Sequence, residues 1–224
     1  DIEKKENRKD LIISICVFLS GFSCFAQLYY FQPLLPDLAK DFILSASESS
    51  FAISFSTLGM VFGLFTTMFV ADRIPRKKMI GTGLLSSSIF SVAASFSPTF
   101  LPLILLSAAK GFLLSGATSV SMAYIAEEVS SRNKGKIMGL YIAGNALGGM
   151  AGRVISSWIG ALYTWRIASV SIGLICALFA ILFLLFSPRS TNFMPRKESF
   201  HTLIIANLQL ITSKALIPFY LTGG

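Results

Sequence analysis

Residues 144–153 read GNALGGMAGR. In a helix Gly144, Gly148 and Gly152 recur every four residues, share one face and let another backbone approach closely, with Gly149 beside them. The flanks, KIMGLYIA before and VISSWIGAL after, extend the stretch into one apolar run over 136–161. In water, glycines and a full charge make a poor helix. In lipid the backbone has no water to bond with, so the chain stays helical and the glycines become a smooth packing face. The stretch therefore points to an all-α membrane protein in which this helix has a close partner.

The rest of the chain agrees. Its 224 residues are 54% hydrophobic and 13% charged, with a mean hydropathy of +0.70, outside the balance of soluble domains. A hydrocarbon core about 30 Å thick takes about 20 helical residues to cross. Six runs meet that need, at 11–35, 48–70, 78–96, 100–125, 136–161 and 165–187. A later run, 203–224, is interrupted by Asn207, Gln209 and Lys214. It divides into an amphipathic surface helix at 197–212 and the start of another span at 215–224. The expected organisation is a six-helix domain over 1–187, a linker over 188–214 and a truncated seventh helix over 215–224. Apolar runs recur to the last residue, unlike a secretory leader followed by a polar chain. With Asp1 in place of an initiator Met and an apolar end, the sequence reads as a fragment. Cys16, Cys24 and Cys176 lie inside apolar runs as small hydrophobes, with no metal or disulfide framework.

The net charge of +8 is distributed as membrane topology demands, not as a nucleic-acid surface. DIEKKENRKD, ADRIPRKK and SSRNKGK are rich in Lys and Arg, and Arg189, Arg196 and Lys197 follow residue 187. The alternate links carry only Lys40, no base, and Arg166. The positive-inside rule then puts the N-terminus and these basic segments on the cytoplasmic side of the membrane. Tyr29, Tyr30, Trp158, Tyr163 and Trp165 fall at the expected outer interface. Ser45 or Ser47 with Glu48 gives a capped start to the second span, and Pro102 suits the first turn of the fourth.

Asp72, Arg73, Arg76 and Lys77 in ADRIPRKK match the loop signature GxxxDRxGRRx, with Met68 and Pro75 where that pattern has glycine. Proline cannot take the positive φ that glycine permits. Gly144, Gly148 and Gly149 match the glycine motif GPxxGG, with Asn145 in place of proline. On these motifs, and on QPLLPDLAKDF, GATSVSMAYIAEEV and WRIAS, the chain resembles the major facilitator superfamily, in its drug/proton antiporter-like branch. The resemblance implies the N-terminal half of a twelve-helix carrier, built as two inverted three-helix repeats, with the substrate site between this half and a missing C-terminal half. It also implies that the GNALGGMAGR face packs against that other half, and that Asp72 and its bases latch the cytoplasmic closure. Without such a role, the bases simply obey the positive-inside rule and the glycines serve ordinary helix packing.

Charges inside spans mark candidate sites, since a cation at the bilayer centre costs at least about 2.5 kcal/mol. Lys110 lies about 15 Å below residue 100 at 1.5 Å per residue, near the midplane. The family often has an Arg three residues earlier, where this chain has Ser107, and a residue at i+3 shares that face. Arg153 lies nearer the outer surface, where lining a cavity and snorkelling are both open to it. Asn145, Gln27, Tyr30 and Gln32 complete the set of candidate cavity residues. No Asp or Glu lies inside the six spans; Asp37, Asp41, Asp72, Glu127 and Glu128 sit at their ends.

The expected function is a secondary transporter that exports a small molecule by alternating access, coupled to protons and needing no cofactor. A non-transporting remnant, scaffold or half-size partner is the alternative. An intramembrane enzyme does not fit: the only histidine, His201, is in the cytoplasmic segment, away from any membrane-level serine.

Overall fold

The computed structural model describes residues 2–193. The expected amphipathic helix at 197–212 and the further span at 215–224 lie outside the described residues. Six long helices carry the fold: α1 (Ile2–Tyr29), α2 (Phe51–Val70), α3 (Arg76–Ser95), α4 (Phe100–Glu128), α5 (Lys134–Leu162) and α6 (Trp165–Phe186). Among the described residues the regular structure is entirely helical. Consecutive helices run in opposite directions between a proximal end, where α1 starts, and a distal end.

The first helix is shorter at its distal end than its hydropathy suggests. It stops at Tyr29, a 3-10 turn follows at Gln32–Leu34, and a short helix runs over Leu35–Asp41. Pro33 has no N–H to continue the ladder and Pro36 follows it, so the chain turns at Tyr30 and Phe31. Ser45 does form a capping box with Glu48, on the short helix Ala46–Ser49 that leads into α2. At the next link Pro75 sits at φ −53°, just ahead of α3. The turn therefore forms without the positive φ of a glycine. Thr164 caps α6 through Ile167 N–H, and Ser187–Pro188 ends it.

The helices pack in the order α2, α4, α3, α6, α1, α5, with α1 also against α5 along its length. Two apolar clusters form the interior. The proximal one includes Ile13, Val17, Ile80, Leu84, Tyr124, Ile125, Tyr141 and Phe183. The distal one includes Tyr30, Phe31, Leu34, Leu38, Leu103, Trp165 and Ile172. Buried polar groups lie within this interior: Ser23, Gln27, Ser87, Ser88, Ser91, Ser107, Lys110 and Ser169.

Large hydrophobics cover the outside, among them Phe62 and Phe65 of α2, Val154 and Trp158 of α5, and Leu174, Leu178 and Leu185 of α6. An apolar exterior of this extent is what a hydrocarbon surround stabilises. Four stretches, Glu6–Asp41, Ala46–Arg73, Phe100–Glu128 and Trp165–Phe186, are long and apolar enough to cross a membrane. The expected six is thus met in number of long helices but not in composition, because α3 and α5 fall below that apolar level. Helix α3 is central, and its serines bond back to their own helix, as Ser87 and Ser88 do to Leu84 O at 2.8 Å. Hydroxyls satisfied this way are tolerated in a buried helix. Helix α5 carries glycines and the cations Lys134, Lys136 and Arg153 in place of large apolar residues.

The glycines explain the closest contacts. A Cβ on Gly144 would stand 2.6 Å from Phe18 O, and one on Gly152 2.7 Å from Ala26 Cα. One on Gly148 would strike the Phe22 backbone, while Gly149 meets Tyr29 Cδ2 at an ordinary 3.4 Å. The glycine face therefore packs on α1 of this chain, where the resemblance implied contact with a missing half. Gly59, Gly63 and Gly111 join α2 to α4 in the same manner. Of the aromatic residues expected at the outer interface, Tyr30 and Trp165 are instead buried, and only Trp158 and Tyr163 are strongly exposed. The Pro33 and Pro36 turn beyond α1 and the Thr164-capped start of α6 direct those two rings inward.

Candidate functional site

At the proximal end, the loop signature becomes a charge network. Arg76 Nη2 pairs with Asp72 Oδ1 at 3.0 Å and with Glu127 Oε1 of α4 at 3.1 Å, while Nη1 donates to Ala71 O at 2.6 Å. Burial opposes the charge on Arg76, but the Glu127 and Asp72 carboxylates outweigh it and raise the pKa above the usual arginine value. Lys77 turns away from this group. Its amide donates to Ser190 Oγ at 3.0 Å and its ammonium to Ser187 O. Arg73 closes the 3-10 turn Ala71–Arg73.

Two further acids are part of this end. Asp10, at the foot of α1, accepts from Ser130 Oγ at 2.5 Å and Asn133 Nδ2 at 2.8 Å. Glu128 accepts from Lys9 at 2.9 Å, Thr191 Oγ1 at 2.9 Å and Asn192 N–H at 2.8 Å. Asp10 is 5% exposed and Glu128 4%, so each is a buried carboxylate surrounded by donors. Sequence reasoning took Asp10 as part of a basic tail. Its one signal is an acid at the last position of a Lys/Arg-rich block, against the start of an apolar run. We expect Asp10→Ala to lower stability by about 2 kcal/mol through loss of charged hydrogen bonds. The change should appear as a lower melting temperature of the purified protein, with Asp10→Asn between the two.

The midplane residues are arranged around the end of α1. Lys110 is 1% exposed. Its Nζ lies 4.5 Å from the centre of the Tyr30 ring and 4.8 Å from that of Phe31, and it has no hydrogen-bond partner. It does not lie on an open face, where a cavity was expected, but is enclosed among the six long helices, because the turn at Tyr30 and Phe31 folds both rings over it. Tyr30 Oη bonds Ser169 Oγ at 2.9 Å, Ser169 donates to Ser91 O at 2.9 Å, and Ser91 donates to Gln27 Oε1 at 3.1 Å. Gln27 Nε2 is left without an acceptor.

Arg153 and Gln32 meet on the other flank of α1. Arg153 Nε donates to Gln32 Oε1, and Cζ sits 4.5 Å over the Tyr29 ring. Arg153 is only partly buried and Gln32 is exposed, so this pair does reach an open surface. Asn145 lies lower on α5, facing Gly21, with Oδ1 unbonded. The six candidates therefore divide into an enclosed set, Gln27, Tyr30 and Lys110, an open pair, Gln32 and Arg153, and Asn145 apart from both. No cluster suited to a metal ion occurs among the described residues.

A family model described as Major Facilitator Superfamily matches residues 14–224. An "Uncharacterized transporter" of Buchnera aphidicola subsp. Schizaphis graminum is 38% identical over 200 residues, which is 89% of this chain and 48% of the relative. The "Inner membrane transport protein YnfM" of Escherichia coli is 36% identical over 212 residues, 95% of this chain and 51% of the relative. Among solved structures, the proton:xylose symporter XylE superposes with a TM-score of 0.75 at 16% identity, over 97% of this chain and 52% of that one. At that identity the likeness speaks for the fold alone. The chain spans about half the length of the curated relatives it matches.

Proposed function

Because this chain belongs to the major facilitator superfamily, we propose that it forms the N-terminal half of a secondary transporter that moves a small molecule across the membrane by alternating access. The observation that carries this reading is the enclosed Lys110, an ionisable amine deep among the helices without a hydrogen-bond partner or counter-charge (1% exposed). An ion at such depth has a large cost and is retained where it does work on a substrate or a coupling ion. The relatives are named as transporters, and they are about twice the matched length. A second half would complete a cavity against α1, α2, α4 and α5.

In this reading the N-terminus is cytoplasmic and the membrane is a bacterial inner one, supported by the basic proximal loops. Each long helix is then a span, in two inverted repeats of three, and residues 188–214 link to the next half. The Asp72, Arg76 and Glu127 network holds the cytoplasmic side of this half together. Proton-coupled export is the finer part of the proposal. The proximal carboxylates already have hydrogen-bonded partners, so the proton carrier is assigned to the other half.

The test is reconstitution of the full-length protein in liposomes under an imposed pH gradient, with solute movement and internal pH followed together. Transport predicts solute accumulation that collapses with a protonophore. Solute movement indifferent to the gradient would remove proton coupling, and no movement of any solute would favour a scaffold or remnant.

A further inference from the structure

Tyr29–Gln32, where α1 gives way to the 3-10 turn, is flanked by a cation on each side. From α4, Lys110 places Nζ 4.5 Å over the Tyr30 ring and 4.8 Å over that of Phe31. From α5, Arg153 lays its guanidinium 4.5 Å over Tyr29 and bonds Gln32. The two stand at one level. At 1.5 Å per residue Lys110 is about 15 Å from the distal start of α4 and Arg153 about 14 Å from the distal end of α5. Gln27, one turn before Tyr30 on α1, adds an amide nitrogen with no acceptor.

This layer has more donors than acceptors. Lys110 Nζ and Gln27 Nε2 have no partner, and the terminal nitrogens of Arg153 make no hydrogen bond among the described residues. No Asp or Glu lies between Glu48 and Asp72, between Asp72 and Glu127, or between Glu128 and the end of α6. The acids of α1 and the turn beyond it are confined to Asp10 and earlier and to Asp37 and Asp41. The Arg153 guanidinium, a fixed charge without a compensating acid in a low-dielectric surround, creates a positive potential that favours anions and repels cations. The guanidinium offers a planar fork matched to a carboxylate, and its ring platform, Tyr29, suits a planar organic group beside it.

We infer that this half recognises a small organic anion, its carboxylate held by the terminal nitrogens of Arg153 and its body against Tyr29, with Lys110 supporting the Tyr30 and Phe31 rings from behind. The inference rests on the transporter reading and sharpens it to a substrate class. Lys110, enclosed as it is, acts on the anion through the position of the two rings and not by direct contact. Arg153 is the residue that touches it.

The experiment uses full-length protein in detergent and three matched sets of probes: benzoate, benzamide and benzylamine; nicotinate, nicotinamide and 3-picolylamine; indole-3-acetate, its amide and tryptamine. Thermal stabilisation is titrated for each compound, and each is tested for counterflow in proteoliposomes. The carboxylate of at least one set should stabilise the protein while its amide and amine do not. Arg153→Gln should weaken that binding by at least about tenfold, the loss of one charge-assisted contact, and Arg153→Lys should restore part of it. The inference is overturned if amides or amines bind as well as the acids, if no probe binds, or if Arg153→Gln binds the acid unchanged. Should Arg153→Gln fail to fold, Arg153→Lys decides: unchanged affinity and unchanged acid-over-amide preference count against the fork. Stabilisation by a carboxylate without counterflow would keep the anion site and sink the transporter reading.

Discussion

Lys110→Met will raise the melting temperature of the full-length protein while cutting its transport by at least about tenfold. The ammonium is enclosed and unbonded (1% exposed), and removing such a charge from water costs several kcal/mol even after relaxation. The Tyr30 and Phe31 rings return only about 2 kcal/mol or somewhat more by cation–π attraction in a desolvated site. Methionine has similar length, keeps contact with both rings through its sulfur and carries no charge. We expect a gain of about 1 to 4 kcal/mol, the range seen when buried ions give way to apolar residues. At about 2–4 °C per kcal/mol for a chain of this size, the melting temperature should rise by several degrees. Transport should fall by at least about tenfold, the effect of removing a buried charge from recognition. Differential scanning fluorimetry beside proteoliposome flux reads both outcomes. A lower melting temperature would mean that the ammonium is net stabilising, and undiminished flux would remove Lys110 from the mechanism.

Gly148→Val will prevent correct assembly of the helix bundle. Even the Cβ of alanine at this position would meet the Phe22 backbone, with Phe22 Cα at 2.5 Å. The obstructing atoms belong to a helix axis, which cannot rotate aside as a flexible side chain can. Valine adds two methyl groups and forces α5 from α1, separating Gly144 from Phe18 and Gly152 from Ala26 as well. We expect a loss of about 3 kcal/mol or more, at the upper end for overpacked sites, seen as aggregation on size-exclusion chromatography. Gly135→Ala and Gly139→Ala are the controls, since a Cβ at either meets nothing within 4 Å. These should leave stability within about 0.5 kcal/mol or raise it slightly through better helix propensity. Equal damage from all three would show that the glycines matter for conformation and not for packing.

Much of the fold was legible because the signals are local. Hydropathy summed over about 20 residues finds a helix whatever its neighbours, and the bounds of α2, α4 and α5 fall within a few residues of the runs read for them. The end of α1 was misplaced because hydropathy does not register that Pro33 and Pro36 interrupt an apolar run. The candidate site was less legible. Arg153 and Gln32 were singled out separately, and the structure shows that they bond each other at a partly open surface. Lys110 was found by its depth, but its enclosure depends on two rings brought over it from another helix. Asp10 escaped notice because a lone acid near lysines looks solvated until the chain shows what surrounds it.

By itself, then, the sequence determined that the chain is helical, that its surface suits lipid, where each helix runs, and which few polar residues lie deep. Each of these follows from composition and period, which add up along the chain. Only the tertiary structure decided which faces meet: that GNALGGMAGR packs on α1, that Arg76 joins Glu127, and that Lys110 and Arg153 bracket the turn at the end of α1. The physical reason is that a smooth glycine face or a charge at a given depth fits many partners equally well. The choice among them is made by backbone direction, helix rotation and the space left by every other side chain at once.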